Sequence, residues 1–389
     1  MQKIKSIAIN AWILRNKNID GIGNFTIQTT MQLSILNPKY KFYVLTDWNY
    51  SDIYFEKYNN IKIVKIFPPW RHPLLYLFFL EMILPLFLVI NKINLFIGMD
   101  GMISMLSSKN QISVIHDLNF VHYPKFLPLK NRLFYNIFYP IYARKAKYIA
   151  TVSEFSKNDI TQCFNINPNK IVVVYCASKD TFHPISDYIK NQTREKHSSG
   201  YPYFITLGTI HPRKNIENTI RAFGLFLAKT KLQYKLILVG QFMWDNSKVF
   251  ETIKELKLEK DVIITGRLND KETNDLLASA EALLFMSYFE GFGIPILEAF
   301  ATETPVICSN TTSLDEISGN AALKADPDNP EEISNKMYDL IKNELLRKTL
   351  KFDGVDRNKY FNWRKTAINL NKIIENQHEI SSSSNSILP

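Results

Sequence analysis

Cysteine is scarce in this chain. Cys163, Cys176 and Cys308 are the only three in 389 residues, and no two stand in CxxC spacing. An odd, scattered set gives no disulfide framework and no Cys/His finger, and it favours a reducing compartment. Cys308 ends the apolar run Pro305–Cys308 and reads as a buried small hydrophobe. Membrane-length apolar runs are missing too. The most apolar stretch, Leu74–Ile90, has 17 residues and contains Glu81 and Pro85, whereas a span needs about 20. A buried or interdomain helix is its first reading and an interfacial helix resting on a membrane its second. No apolar signal core follows the start MQKIKSIAIN, so the protein is expected to be cytoplasmic. The sequons at Asn24, Asn191 and Asn310 then carry no weight. Acidic residues are in deficit: 37 Asp and Glu against 47 Lys and Arg leave a net charge of +10. That balance implies an anionic partner. The basic residues are scattered, so no nucleic acid is expected; a phosphorylated substrate and an anionic lipid surface remain.

What is present is an alternation of strand-like and helix-like runs, the pattern of parallel α/β layers. In the first half the strands read Ile4–Asn10, Lys41–Thr46, Ile61–Ile66, Leu95–Gly98, Gln111–His116, Tyr148–Val152 and Ile171–Val174. Helices read Phe25–Leu36, Leu74–Ile90, Asn131–Lys145 and Ser153–Phe164. The second half repeats the rhythm, with strands Tyr203–Gly208, Lys235–Gly240, Val262–Thr265, Ala282–Met286 and Pro305–Cys308. Its helices read Asn215–Lys229, Asn246–Leu256, Asp270–Ser279, Ile296–Thr302 and Glu331–Asn343. Residues 185–200, ISDYIKNQTREKHSSG, are polar and end in Ser and Gly, so they read as a linker. The expected division is a first domain over 1–184, a second over 201–360, a final amphipathic helix over 361–378 and a disordered tail over 379–389.

The strongest chemical signal is Glu290-Gly291-Phe292-Gly293-Ile294-Pro295-Ile296-Leu297-Glu298. It follows a strand and opens a helix, with two glycines that let backbone approach a ligand and a proline suited to the first turn. Free amides at such a junction hold an anion. Glu298, a turn into the helix, suits two vicinal ribose hydroxyls, and Glu290 lies nearer the reacting group. The structural alternative is a plain turn with two solvated acids. Arg213 and Lys214 follow the strand Tyr203–Gly208 and together suit a diphosphate; otherwise they form a solvated basic turn. Gly21-Ile22-Gly23 falls short of a dinucleotide fingerprint, since Thr26 stands where the third glycine belongs. Asp47 is only loosely placed to mark a ribose. The Gly21 and Gly23 amides either cap a phosphate or simply make a tight turn. His116 ends an apolar strand and should emerge at the sheet edge where α/β proteins bind ligands; a core or capping histidine is the alternative. His122 and His211 have weaker claims. Asp326-Pro327-Asp328 imitates a metal-binding DxD triplet, but Asn329-Pro330-Glu331-Glu332 follows it, which is a helix cap.

EGFGIPILEAFA resembles the E-x7-E signature of the retaining glycosyltransferases of the GT-B fold, the group 1 or family 4 class. Gly208-Thr209-Ile210-His211-Pro212-Arg213-Lys214-Asn215 is similar to that family's G-x-x-x-P-R-K-N segment, with His211 replacing a residue that is often acidic. Gly21-Ile22-Gly23-Asn24-Phe25 resembles its G-I-G-R-Y loop, with Asn24 in the Arg position. His116-Asp117-Leu118 with Tyr123-Pro124 resembles its H-D-L…Y-P stretch, and leans toward mannosyltransferases. The resemblance runs from about residue 7 to 375.

It implies two Rossmann-like α/β/α domains facing across a cleft, the acceptor on the first and a nucleotide sugar on the second, with the final helix crossing back. It implies catalytic roles for Glu290, His116, Arg213 and Lys214. Donor contacts would come from Gly21, Gly23, Asn24, Gly291, Phe292, Gly293, Ile294 and Glu298. The donor would be GDP-mannose or a UDP-sugar, the acceptor a glycan or lipid-linked saccharide, with an anionic membrane as a possible peripheral partner. No cofactor and no metal are expected, because Arg213, Lys214 and a helix N-terminus supply positive potential where other transferases use a cation. Two other classes stay open at this stage: a nucleotide-sugar epimerase, which needs no acceptor, and a non-catalytic basic protein that docks on lipid or nucleic acid.

Overall fold

The computed structural model describes residues 6–15, 19–47, 53–66, 73–243 and 246–376. The chain divides into two compact units, Met1–Cys176 with Asn362–Pro389, and Ala177–Phe361. Each is a parallel sheet with helices.

The first sheet contains β1 (Ser6–Asn10), β2 (Lys41–Asp47), β3 (Ile61–Ile66), β4 (Leu95–Gly98), β5 (Asn110–Val114), β6 (Tyr148–Thr151) and β7 (Ile171–Val173). Its spatial order is β3-β2-β1-β4-β5-β6-β7. The second contains β8 (Tyr203–Leu207), β9 (Lys235–Val239), β10 (Val262–Gly266), β11 (Ala282–Phe285), β12 (Val306–Ser309) and β13 (Leu323–Ala325), in the order β10-β9-β8-β11-β12-β13. Central strands are apolar and buried along their length: β1, β4 and β8 have no exposed residue. That is the signature of parallel strands covered on both faces.

Helices of the first unit are α1 (Gly21–Leu36), α2 (Pro73–Phe78), α3 (Leu84–Ile90), α4 (Asn119–His122), α5 (Leu129–Lys145) and α6 (Glu154–Phe164). Those of the second are α7 (Asp187–Ser198), α8 (Ile216–Thr230), α9 (Ser247–Glu255), α10 (Asp270–Ser279), α11 (Ile294–Ala301), α12 (Thr312–Ser318), α13 (Pro330–Lys342) and α14 (Glu344–Asn358). The last helix, α15 (Trp363–Glu375), belongs with the first unit. Its Trp363 ring meets Phe25 of α1 edge-on at 6.1 Å, and Asn371 Oδ1 accepts from Asn37 Nδ2 at 2.9 Å.

Three expectations need correction. The supposed linker 185–200 is mostly helix: Ser186 caps α7, which packs on α10 within the second unit. Arg194 ties it down by donating to the Ser279 carbonyl and pairing with Glu281 at 2.9 Å. The polar composition reflects a solvated outer face, not loose chain. The passage between the units lies instead at 176–177. Second, Leu74–Ile90 is not one regular helix. A π-helical turn, Phe79–Ile83, separates α2 from α3, just before Pro85, whose ring cannot sit over a regular preceding turn. Third, Gly21 and Gly23 stand in the first turn of α1 rather than in a loop. Asp20 caps that turn and accepts from the Gly23 N–H at 2.8 Å. Gly23 is needed for packing, since a Cβ there would lie 2.9 Å from Ile19. The tail 379–389 lies outside the described residues.

Candidate functional site

In the second sheet the chain leaves β8 toward β9 and β10, and from β11 continues the other way to β12 and β13. The neighbours β8 and β11 therefore flank a topological switch point, where open α/β sheets bind ligands beyond the strand ends. Arg213 and Lys214 follow β8 in a short 3-10 turn, Pro212–Lys214. Glu290 follows β11. The loops meet in one ion cluster: Arg213 Nη1 lies 2.9 Å from Glu290 Oε2, and Lys214 Nζ 2.5 Å from Oε1. Arg213 also donates to the Phe289 carbonyl, and Tyr288 N–H donates back to the Arg213 carbonyl at 2.9 Å. Lys214 Nζ sits 4.8 Å above the Phe285 ring. Glu290 is only 8% exposed. Burial works to raise its pKa, but Arg213 and Lys214 outweigh burial and hold it at about 2. Glu290 is thus a fixed carboxylate at neutral pH and cannot serve as a proton donor there.

Beyond Glu290 the backbone turns at Gly293, which has φ +102° and caps α11. Gly291, Phe292 and Gly293 are buried, and the Phe292 ring meets Phe361 edge-on at 5.8 Å. Ser313 Oγ donates to the Glu290 and Phe292 carbonyls at 2.8 and 3.1 Å, pinning the loop. Helix α11 opens at Ile294; Pro295 has no N–H to offer, and the Ile296 N–H donates to the Gly293 carbonyl at 3.0 Å. Glu298 stands in the next turn. No hydrogen bond or ion pair reaches its carboxylate among the described residues. Burial, with Asp270 adding to it and Lys179 opposing it, pushes Glu298 up to about 7.

The first unit has its own polar cluster. Here β1 and β4 flank the switch point of the first sheet. Asn10 ends β1, Asp100 follows β4 and His116 follows β5, two residues past the strand's last residue. Asn10 Nδ2 donates to Asp100 Oδ1 at 2.9 Å and to Tyr76 Oη at 2.7 Å, and Tyr76 donates to Asp100 Oδ2 at 3.2 Å. Burial raises Asp100 to about 6 despite these donors. His116 Nε2 lies 2.9 Å from the Met99 carbonyl. A carbonyl only accepts, so Nε2 carries the proton and Nδ1 the lone pair. Burial lowers the His116 pKa against the Met99 contact and Asp117 and Asp20, which keeps the ring neutral at pH 7. Asn24 is buried in α1, and its Nδ2 has no hydrogen-bond partner among the described residues. Asn10, Tyr76 and Asp100 escaped the sequence reading, although Asn10 and Asp100 follow apolar strands just as His116 does.

His122 pairs with Asp159 at 2.7 Å, and the Cys163 thiol donates to the same oxygen at 3.3 Å. Among the described residues these three are the only His, Cys, Asp or Glu side chains close enough together to hold a metal. Asp326 and Asp328 are occupied as a helix cap: Asp328 N–H donates to Asp326 Oδ1 at 2.9 Å, and Asn329 Oδ1 accepts from Glu332 N–H at 3.0 Å.

Residues 188–354, from inside α7 to inside α14, match the model of the glycosyl transferases group 1 family. Over these residues the chain is similar to the group 1 glycosyl transferases. It is 30% identical over 253 residues to O-antigen chain mannosyltransferase B of Escherichia coli, a match covering 65% of this chain and 66% of that one, just under two thirds of its length. Among solved structures it resembles sucrose-phosphate synthase from Thermosynechococcus elongatus, with TM-score 0.76 and 16% identity over 97% of this chain and 100% of that one. It also resembles Anabaena Alr3699/HepE solved with UDP and glucose, with TM-score 0.74 and 15% identity over 95% and 99%. These likenesses establish the GT-B fold of paired parallel-sheet domains. The match beginning at residue 188 also places α7 inside the family's domain rather than before it.

Proposed function

We propose that the protein is a retaining hexosyltransferase that moves mannose from a nucleotide diphosphate sugar to a glycan or lipid-linked saccharide. The observation carrying this reading is the Arg213–Glu290–Lys214 cluster at the switch point of the second sheet. Two cations held by one buried carboxylate at the mouth of a strand–Gly–helix junction make an electrostatic seat for a departing diphosphate. Arg213 and Lys214 neutralise the leaving group, with the Gly291–Ile294 backbone and the α11 N-terminus beside them. Glu290, ionised throughout, accepts a hydroxyl of the transferred sugar and keeps both cations in place. Glu298 accepts the ribose hydroxyls. His116 is proposed to act as a neutral base or acceptor. Mannose is supported by the E. coli relative's name, and a nucleoside diphosphate donor by the UDP bound in the Anabaena neighbour.

Transfer is proposed to need no divalent ion, since the fixed cations supply the charge. A panel of GDP-, UDP- and ADP-sugars is the test: a donor that binds the folded protein raises its melting temperature. With the donor so found, turnover should persist in excess EDTA and fall about 100- to 1000-fold in Glu290→Gln, by analogy with loss of a preorganised charged group. Loss of activity in EDTA with rescue by manganese would refute metal independence. Near-normal turnover of the variant would refute the site.

A further inference from the structure

One face of the first unit carries more exposed apolar surface than a solvated face requires. The crossovers from β3 to β4 and from β5 to β6 run toward the same edge of the sheet. Right-handed crossovers therefore put α2, α3 and α5 on one face, and residues of all three share one buried core with Tyr142 and Phe79. Their outward sides are apolar. On α2, the π turn and α3, Leu75, Phe78, Met82, Leu86, Val89 and Ile90 are 46–67% exposed. On α5, Leu129, Leu133, Ile137 and Ile141 recur every fourth residue and are 66%, 54%, 55% and 38% exposed. An apolar stripe of that extent on a single chain marks an interaction surface.

Charge says what covers it. Glu81 is the only acid in Pro73–Ile90, and it is turned inward, accepting from Met105 N–H at 2.9 Å and Leu106 N–H at 2.8 Å. Helix α5 contains no acid at all, while Lys130, Arg132, Arg144 and Lys145 are exposed on it. An apolar stripe flanked by cations and cleared of carboxylates is complementary to a bilayer with anionic headgroups. No helix among the described residues is long and apolar enough to cross a membrane, so such contact is lateral. We propose that the outer face of α2, α3 and α5 docks this protein on an anionic lipid bilayer. The proposal is independent of the sugar-transfer reading and uses none of its residues.

The test is flotation of the full chain with vesicles of phosphatidylglycerol or of phosphatidylcholine alone. The bound fraction should be at least tenfold higher on the anionic vesicles and fall with salt. Leu133→Glu with Ile137→Glu, and separately Lys130→Glu with Arg132→Glu, should each lower binding at least tenfold while the melting temperature stays within a few degrees. Leu129→Gln, in the first turn and most exposed of the α5 stripe, serves if the double variants misfold, and should lower binding severalfold. Equal recovery on both lipids, or variants that float like the wild type, would overturn the proposal. So would a dimer by light scattering that Leu133→Glu with Ile137→Glu converts to monomer, since a second copy would then be what covers the face.

Discussion

Two glutamates eight residues apart meet opposite fates. Glu290 lies between two cations and is driven down to about 2; Glu298 has burial without a hydrogen-bond or ion-pair partner among the described residues and is driven up to about 7. The spacing of the pair is visible in the sequence, but this divergence is not, because it depends on Arg213 and Lys214, which arrive from another strand. The Glu298 shift has a signed consequence. Its folded pKa exceeds its ordinary 4.5, so burying it costs stability as pH rises from about 4.5 through about 7, and the cost is constant above that. The shift bounds the effect at about 3 kcal/mol. Glu298→Gln should therefore raise the melting temperature by several degrees at pH 8 and scarcely at pH 4, while weakening donor binding. A melting series from pH 4 to 8 checks this; an equal difference at both ends would show that Glu298 is not the buried acid described. The same residue-level reading missed Asp100 and Asn10. Only the sheet order shows that the ends of β1 and β4 are neighbours, so the sequence had the polar residues without the means to pair them.

At the scale of elements, the strands were legible and the helix ends less so. Continuous apolar runs fix β1, β4 and β8 almost to the residue, because no solvent face interrupts them. The loop before α1 was misread because two glycines suggest turn backbone, whereas Asp20 caps a helix that admits them. The linker was misread because α7 buries little and so resembles solvated chain. The Gly293 junction shows what a correct local reading buys. At φ +102° a side chain is strained, and a Cβ would also lie 2.6 Å from Leu314. Gly293→Ala should cost about 1–3 kcal/mol in urea unfolding and weaken donor binding at least tenfold, because the amides of α11 turn with the backbone. Unchanged affinity alongside the lost stability would separate this turn from the donor site.

For the whole molecule, the sequence foresaw paired parallel sheets and a late helix but not the boundary between the units. The unit formed by the N-terminal residues is discontinuous: α15 arrives after the entire second unit and covers α1 with Ala367, Leu370 and Ile374, all buried. Deleting residues 362–389 should uncover Phe25 and leave the second unit intact. Calorimetry should then show the first unit's transition lowered or lost and the second's kept; two unchanged transitions would mean that α15 adds nothing to the first unit's stability. The same arrangement bears on biosynthesis. Asn37 and its partner Asn371 are separated by 334 positions, which a ribosome adding about 5–20 residues each second covers in roughly 15–70 s. For that interval the nascent chain holds an unfinished domain with the greasy side of α1 bare, because α15, which covers it, is made last of that unit's elements.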